Sequence, residues 1–329
     1  MTGLRNDDLR AAALFALAFA LLLVSSRFAQ GARLWDQALA ILALSSFVVI
    51  VAFGQHFVVL LGGLDLAVAS VMTLGGILIF GWAQASPSAL LWAVPAVLLI
   101  TALIGALSGA GVSLVRIPPF IMTLAMGIII ASAVLGITQG VPHGAASPVL
   151  SALFTASWLG VPRVIVLTIA LTALGTLVER RTVLGRRIYA IGANREAAHL
   201  AGLPVNTVTV LCYAISGAAS GLAGILMVGY ASGATLELGQ SYLLPSIAAV
   251  IVGGTSIAGG RGTLLGVAGG AVLLTTLSAT ISALAIAEGW RIVIYGFVIL
   301  AALLLLRGEL YGSIRARITH TRNLERNPA

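Results

Sequence analysis

Ten apolar stretches follow one another along this chain with almost no charge inside them, and that pattern limits the fold more than any other feature. They run roughly over residues 9–26, 37–61, 64–82, 89–115, 119–140, 163–179, 206–231, 243–258, 262–286 and 290–306. A helix needs about 20 apolar residues to cross the hydrocarbon of a bilayer. Inside that layer every backbone N–H and C=O must be paired within the protein, so a spanning segment is a helix or part of a closed barrel. The alternation a lipid-facing barrel strand needs is absent. Charged residues make up 9% of the chain, against about 25% in soluble domains, and the mean hydropathy is +1.10. The expected fold is therefore an all-α polytopic membrane protein of about ten transmembrane helices, some broken by Gly or Pro. It forms one transmembrane domain over 1–329, with spans over 9–306 and a basic tail over 307–329.

The N-terminus invites a second reading. Arg5 and Arg10 precede an apolar run over 11–24, and small residues follow over 25–32, as in a secretory signal peptide. The membrane-like character of everything downstream favours an uncleaved first span.

All 18 cationic residues are Arg, giving a net charge of +8. In a soluble protein such a balance would suggest nucleic acid, but no stretch reads as a stacking or groove-binding module, and no nucleic-acid partner is expected. The positive-inside rule accounts for the charge instead. With the N-terminus in the cytoplasm and ten crossings, fourteen Arg face the cytoplasm and four (Arg27, Arg33, Arg163 and Arg291) face away. Trp35, Trp82, Trp92, Trp158 and Trp290 fall near the far-side ends, where indoles sit in the headgroup layer. Both termini are expected in the cytoplasm, with the bilayer as the chain's main solvent.

The longest polar excursion is the 179–206 segment, ERRTVLGRRIYAIGANREAAHLAGLPVN. Asn194 is placed to cap a short helix whose first turn holds Glu196, a carboxylate that the helix dipole favours. Gly202 and Pro204 then end it. Such a helix on the cytoplasmic face is either a docking element for another protein or an interfacial helix lying in the headgroups, and the residues alone leave both open.

At Leu61-Gly-Gly-Leu-Asp-Leu-Ala-Val-Ala-Ser70 the pair Gly62-Gly63 interrupts an apolar run, which suggests a broken helix. Asp65 is an ionisable group in apolar surroundings. It marks a water-filled path, or it caps a half-helix near the cytoplasmic end, and the capping reading is preferred. Gln55, Phe120 and Thr123 are candidates to line a path, because small-molecule sites pair apolar and aromatic surface with a few placed polar groups. For a single Phe in a span, packing is the commoner role.

His56, His143 and His199 have no metal-ligand partner at short spacing, so neither metal nor cofactor is expected. There is no Walker P-loop and no nucleophile turn. The chain is not expected to be an enzyme, and any ATP hydrolysis would fall to a separate subunit. The single cysteine, Cys212, lies in an apolar run and reads as packing.

The phrase Glu196-Ala197-Ala198, followed by Gly202, resembles the EAA-x-x-x-G pattern of binding-protein-dependent ATP-binding-cassette importer permeases. In those proteins this loop is the coupling helix that inserts into the ATPase subunit. Three further stretches resemble the ribose-type monosaccharide permease family more narrowly: Leu184-Gly-Arg-Arg-Ile-Tyr-Ala-Ile-Gly-Ala-Asn194, the 61–70 phrase, and the segment from Ala231 to Gly262. Arg116-Ile-Pro-Pro-Phe-Ile-Met-Thr-Leu124 is similar to that family's opening of a span. In the 61–70 phrase Ala67 and Ala69 replace the family's Ser and Gly.

The resemblance implies an importer permease fold and ATPase-coupling roles for Gly192, Asn194, Glu196, Ala197, Ala198 and Gly202. It implies a substrate path near Gln55, Asp65, Ser70, Phe120 and Thr123. The implied partners are an ABC ATPase subunit, a periplasmic sugar-binding protein and a second permease protomer, identical or not. A small neutral sugar or polyol is the expected cargo. Competing classes are a branched-chain amino-acid permease, an ion-coupled secondary transporter, which would normally need paired intramembrane carboxylates, and an intramembrane enzyme.

Overall fold

The computed structural model describes residues 2–27, 33–84 and 86–284, with scattered positions between 287 and 300. Most of the expected span 290–306, and all of the tail 307–329, lie outside the described residues. The helices are α1 (Thr2–Ser26), α2 (Leu34–Leu60), α3 (Val68–Ala83), α4 (Leu90–Ser113), α5 (Pro119–Thr138), α6 (Pro148–Thr155), α7 (Arg163–Arg181), α8 (Val183–Ala193), α9 (Arg195–Leu200), α10 (Val205–Ala231), α11 (Leu243–Val252) and α12 (Leu264–Ala283). Strands β1 (Ser157–Trp158) and β2 (Val161–Pro162) form a small antiparallel hairpin ahead of α7. Its two-residue turn, Leu159-Gly160, has positive φ at both positions, as a type I′ turn requires.

Among the described residues six helices, α1, α2, α4, α5, α10 and α12, are long and apolar enough to cross a membrane. α7 is of spanning length but carries Arg163, Glu179, Arg180 and Arg181 at its ends. α3 is shorter, at 16 residues. The chain is thus an all-α polytopic membrane protein.

The middle of the bundle is built from α2 and α10. Every residue of α2 from Ser45 to Leu60 is buried, as expected of a helix that is apolar all round and enclosed by neighbours. α10 packs on α4, α3 and α2, α12 packs on α2 and α11, and α1 lies along α12. Small residues let these backbones approach closely, a common device where lipid removes the usual drive to bury apolar surface. A Cβ on Gly54 would stand 2.6 Å from the Ser216 Cα. Cys212 is fully buried in this packing. By contrast α4 and α5 turn large apolar side chains outward, Leu99, Leu103, Ile121 and Ile128 among them, as helices facing lipid do.

Two helices stop where the sequence places paired glycines. α2 ends in a Schellman motif: Gly62 has φ +76°, its N–H bonds to Val59 O, and the Gly63 N–H bonds to Val58 O. α11 ends the same way at Gly254, φ +89°, with Gly254 N–H to Ile251 O and Thr255 N–H to Val250 O. The expected span 243–258 is therefore a ten-residue helix, Leu243–Val252, followed by a turn-rich loop over 253–263. At about 1.5 Å of rise per residue that helix covers only half the hydrocarbon layer. The two breaks meet in space: the Gly260 N–H donates to Leu60 O at 2.9 Å.

Candidate functional site

Between α7 and α10 the 179–206 segment folds as two short helices, α8 and α9, hinged at Asn194. Thr182 caps α8, its hydroxyl accepting the Gly185 N–H. Asn194 closes α8 and opens α9, its side-chain oxygen accepting the Ala197 N–H at 2.9 Å. α9 ends at Gly202, where φ is +77° and the Leu203 N–H bonds to Ala198 O. The capping residue, the first-turn acid and the terminating glycine thus sit where the sequence placed them.

These residues divide into two groups. Asn194, Glu196, Ala197 and Gly202 are exposed, whereas Ala198 is buried beneath α9. Gly192 lies against the interior: a Cβ there would run into Leu60 O and come within 2.6 Å of the Gly260 N. Gly192 lets α8 seat against both helix breaks. Leu200, which the sequence reading missed, is 82% exposed at the end of α9. A large apolar side chain fully displayed between Glu196, His199 and Gly202 suits insertion into a partner's groove. Its signal in the sequence was one leucine out of phase with the buried Ala198.

A cleft of about 640 Å³ opens beside α9. It is lined by Arg195, Glu196 and His199 of that helix, by Gly62 and Gly63 at the α2 break, and by Tyr213 of α10, with parts of the α4–α5 connection. It joins α9 to the broken-helix region and lies within the usual size of small-molecule sites, about 300–1,000 Å³.

The substrate-path candidates are dispersed. Asp65 is buried: Oδ1 accepts the Ala67 N–H at 3.0 Å and Oδ2 accepts the Ser216 hydroxyl at 2.7 Å. Its carboxylate thereby organises the entry to α3 and ties it to α10. Thr123 accepts the Leu66 N–H at 3.1 Å and donates to Pro119 O at 2.9 Å, fastening the same break to α5. Ser70 is half-buried where α3 passes Gly127 of α5. Phe120 points outward, 56% exposed on α5. Gln55 is wholly buried on α2, and neither its amide nitrogen nor its oxygen has a hydrogen-bond partner. Such an orphaned group costs about 1–3 kcal/mol.

Behind α8 lies a second polar cluster that the sequence reading did not assemble. Glu179 Oε2 accepts the Leu264 N–H at 3.0 Å and stands 3.4 Å from His56 Nε2. Glu179 Oε1 bonds the Tyr189 hydroxyl, which also stands 2.6 Å from Gly262 O. The other His56 nitrogen, Nδ1, pairs with the Thr255 hydroxyl at 3.0 Å. His56 was visible in the sequence as a polar residue in a long apolar run, and Glu179 as the acid closing α7. Their meeting depends on the fold of α8 and the 253–263 loop. Among the described residues no group of three or more His, Cys, Asp or Glu could hold a metal ion.

Comparison with known proteins places this arrangement. The family described as branched-chain amino acid transport system / permease component matches residues 37–303. The ribose import permease protein of Haemophilus influenzae is 34% identical over 273 residues, 82% of this chain and 84% of its own length. The D-allose transport system permease protein of Escherichia coli is 29% identical over 79% of this chain and 80% of its own. The xylose transport system permease protein of the same species is 28% identical over 92% of each. No solved structure matches the chain. With the family's pattern running from α2 to beyond α12 and relatives aligned over most of both chains, this protein belongs to the branched-chain amino acid transport system / permease component family of membrane permeases.

Proposed function

We propose that the chain is the transmembrane permease subunit of an ATP-driven importer that carries a small neutral sugar, a pentose, hexose or related polyol, across the bacterial inner membrane. The observation that carries this reading is the alignment, over four-fifths of the chain, with relatives named for import of ribose, allose and xylose. Those names favour a sugar over the amino acid in the family's description. A hydroxyl-rich neutral cargo also needs no counter-ion, in keeping with the scarcity of charge in the spans. The whole chain serves as one transmembrane domain of about ten helices, both termini in the cytoplasm, with a second protomer, identical or not, completing the pathway. ATP binding and hydrolysis belong to a separate ATPase subunit, and a periplasmic binding protein delivers the sugar.

The α8–α9 unit is the coupling element. Glu196, Ala197, Leu200 and Gly202 form its outer surface, Asn194 fixes its geometry, and Ala198 and Gly192 hold it to the body. The cleft between α9 and the α2 break is the cytoplasmic end of the sugar's path. Asp65, Ser70 and Thr123 shape the break that borders it, Gln55 offers an unpaired amide in the core, and outward-facing Phe120 lies on a surface suited to a partner protomer. Closure of the ATPase pair moves α9, and the broken helices repack in response.

The test is affinity purification from gently solubilised membranes, with co-purifying chains identified by mass. A Walker-motif ATPase in the purified material is the expected result. A chain recovered intact but alone, under conditions that hold a control importer together, would sink the proposal.

A further inference from the structure

We propose that Glu179 is a positioning residue for coupling, acting through Tyr189 and His56 to make the seat of the docking helices and the broken-helix loop move as one. The inference rests on the permease reading above and goes beyond it in naming the linkage.

The argument begins with what holds Glu179 in place. It is only 3% exposed, and a buried carboxylate is tolerated where donors surround it. Here the groups facing it come from three separate elements: the Leu264 N–H from the first turn of α12, the Tyr189 hydroxyl from α8 and the His56 imidazole from α2. Glu179 itself ends α7. His56 reaches on to Thr255, just past the α11 break, so the cluster touches both sides of the 253–263 loop. The carboxylate beside Nε2 favours the tautomer with its proton there, leaving Nδ1 to accept from the Thr255 hydroxyl.

Tyr189 is the moving part. Its hydroxyl has one proton and stands close to two acceptors, Glu179 Oε1 and Gly262 O. It can donate fully to one at a time, so a small shift of α8 exchanges a bond to α7 for a bond to the loop that precedes α12. Two discrete arrangements of one proton suit a switch between packed states better than continuous deformation does. Two features ensure that motion of α9 reaches Tyr189. Asn194 is shared as the end of α8 and the cap of α9, and Gly192 is in backbone contact with the Gly260 turn and Leu60. Docking at α9 therefore pulls on the Tyr189 hydroxyl and, through it, on the loop that joins α11 to α12.

The experiment compares wild type with Tyr189→Phe and Glu179→Gln in the assembled importer in lipid nanodiscs. Tyr189→Phe removes the hydroxyl and keeps the packing. Glu179→Gln removes the charge and keeps only one acceptor oxygen, so the amide can accept from either the Leu264 N–H or the Tyr189 hydroxyl but not from both. The readouts are the amount of ATPase co-purified, the stimulation of ATP hydrolysis by the sugar-loaded binding protein, and sugar moved per ATP. Both variants are expected to assemble, with stimulation and sugar per ATP falling by about fivefold or more, the low end of measured site-to-site couplings. Variants that assemble and retain wild-type stimulation and stoichiometry overturn the proposal. So do variants that merely lower the yield of complex while the complex that remains couples normally, because that is the behaviour of a structural cluster. If Glu179→Gln fails to fold, Tyr189→Phe alone decides. A wild-type complex without any binding-protein stimulation overturns the permease reading, and this proposal with it.

Discussion

Replacing Gly192 by alanine isolates one contact on which the account depends. The added methyl would collide with Leu60 O and stand 2.6 Å from the Gly260 N, both backbone atoms that cannot rotate aside. α8 would have to lift from the α2 break by about 1.5–2 Å to restore ordinary contact with Leu60 O near 3.5 Å. Overpacking of this kind costs about 1–3 kcal/mol, and straining the Gly260 N–H to Leu60 O bond, 2.9 Å long, adds about 0.5–1.5 kcal/mol. The sum, about 1.5–4.5 kcal/mol, lowers the folded-to-unfolded ratio roughly tenfold to a thousandfold. Two glycines calibrate the measurement. A Cβ at Gly202 meets nothing within 4 Å but sits at φ +77°, where an L-residue costs about 1–2 kcal/mol. A Cβ at Gly136, inside α5, also meets nothing within 4 Å, and alanine in a helix interior gains about 0.5–1 kcal/mol over glycine. Detergent-solubilised variants unfolded by dodecyl sulfate titration, followed by circular dichroism, should rank Gly136→Ala at or above wild type, Gly202→Ala below it, and Gly192→Ala lowest. A Gly192→Ala protein as stable as wild type would refute the reasoning, because it would mean that α8 is not seated on the break.

Other consequences are read with simpler assays. Leu200→Asp and Glu196→Arg alter only the outer face of α9, and each is expected to abolish or sharply reduce ATPase co-purification while leaving the amount of protein in the membrane unchanged. Asn194→Ala removes the cap accepted from Ala197 N–H, costing about 1 kcal/mol, and should speed hydrogen exchange in α9 with little effect elsewhere. Ser216→Ala leaves Asp65 Oδ2 without its hydroxyl partner and should destabilise the bundle by about 1–3 kcal/mol, an effect visible in the same dodecyl sulfate titration. With Cys212 replaced by alanine, cysteines introduced at Arg186 and at Trp158 should react with an impermeant maleimide from opposite sides of sealed vesicles; labelling of both from one side would contradict the proposed topology.

The helical bundle was legible because apolar length is written directly into composition, and α2, α4, α5, α7, α10 and α12 fall within a few residues of the expected spans, while α1 ends as expected at Ser26 but begins earlier, at Thr2. Local signals with a fixed geometry also carried through: the Asn194 cap and the stop at Gly202. Asp65 accepts the Ala67 N–H just ahead of α3, but it does not cap that helix, whose N-cap, Ala67, makes no side-chain bond. The sequence misled where a glycine pair stops a helix without a change in hydropathy, so α11 looked six residues longer than it is. It was silent on tertiary meetings. Gly62 and Gly254 read as separate interruptions until the Gly260 N–H was found on Leu60 O. Glu179, His56 and Tyr189 lie far apart in the chain and share no motif, so only the fold brings them together. Gly192 looked like part of a docking motif and proves to face inward, because glycine marks a close approach as readily as an exposed turn.

The central claim is that the chain moves a neutral sugar at the expense of ATP hydrolysed by another subunit. Its most direct test is uptake of labelled pentoses and hexoses into proteoliposomes that hold the co-purified complex, with ATP inside and the sugar-binding protein outside. The account predicts uptake that needs both ATP and the binding protein and is unaffected by collapsing proton and sodium gradients. Uptake that persists without ATP and disappears with those gradients would contradict it.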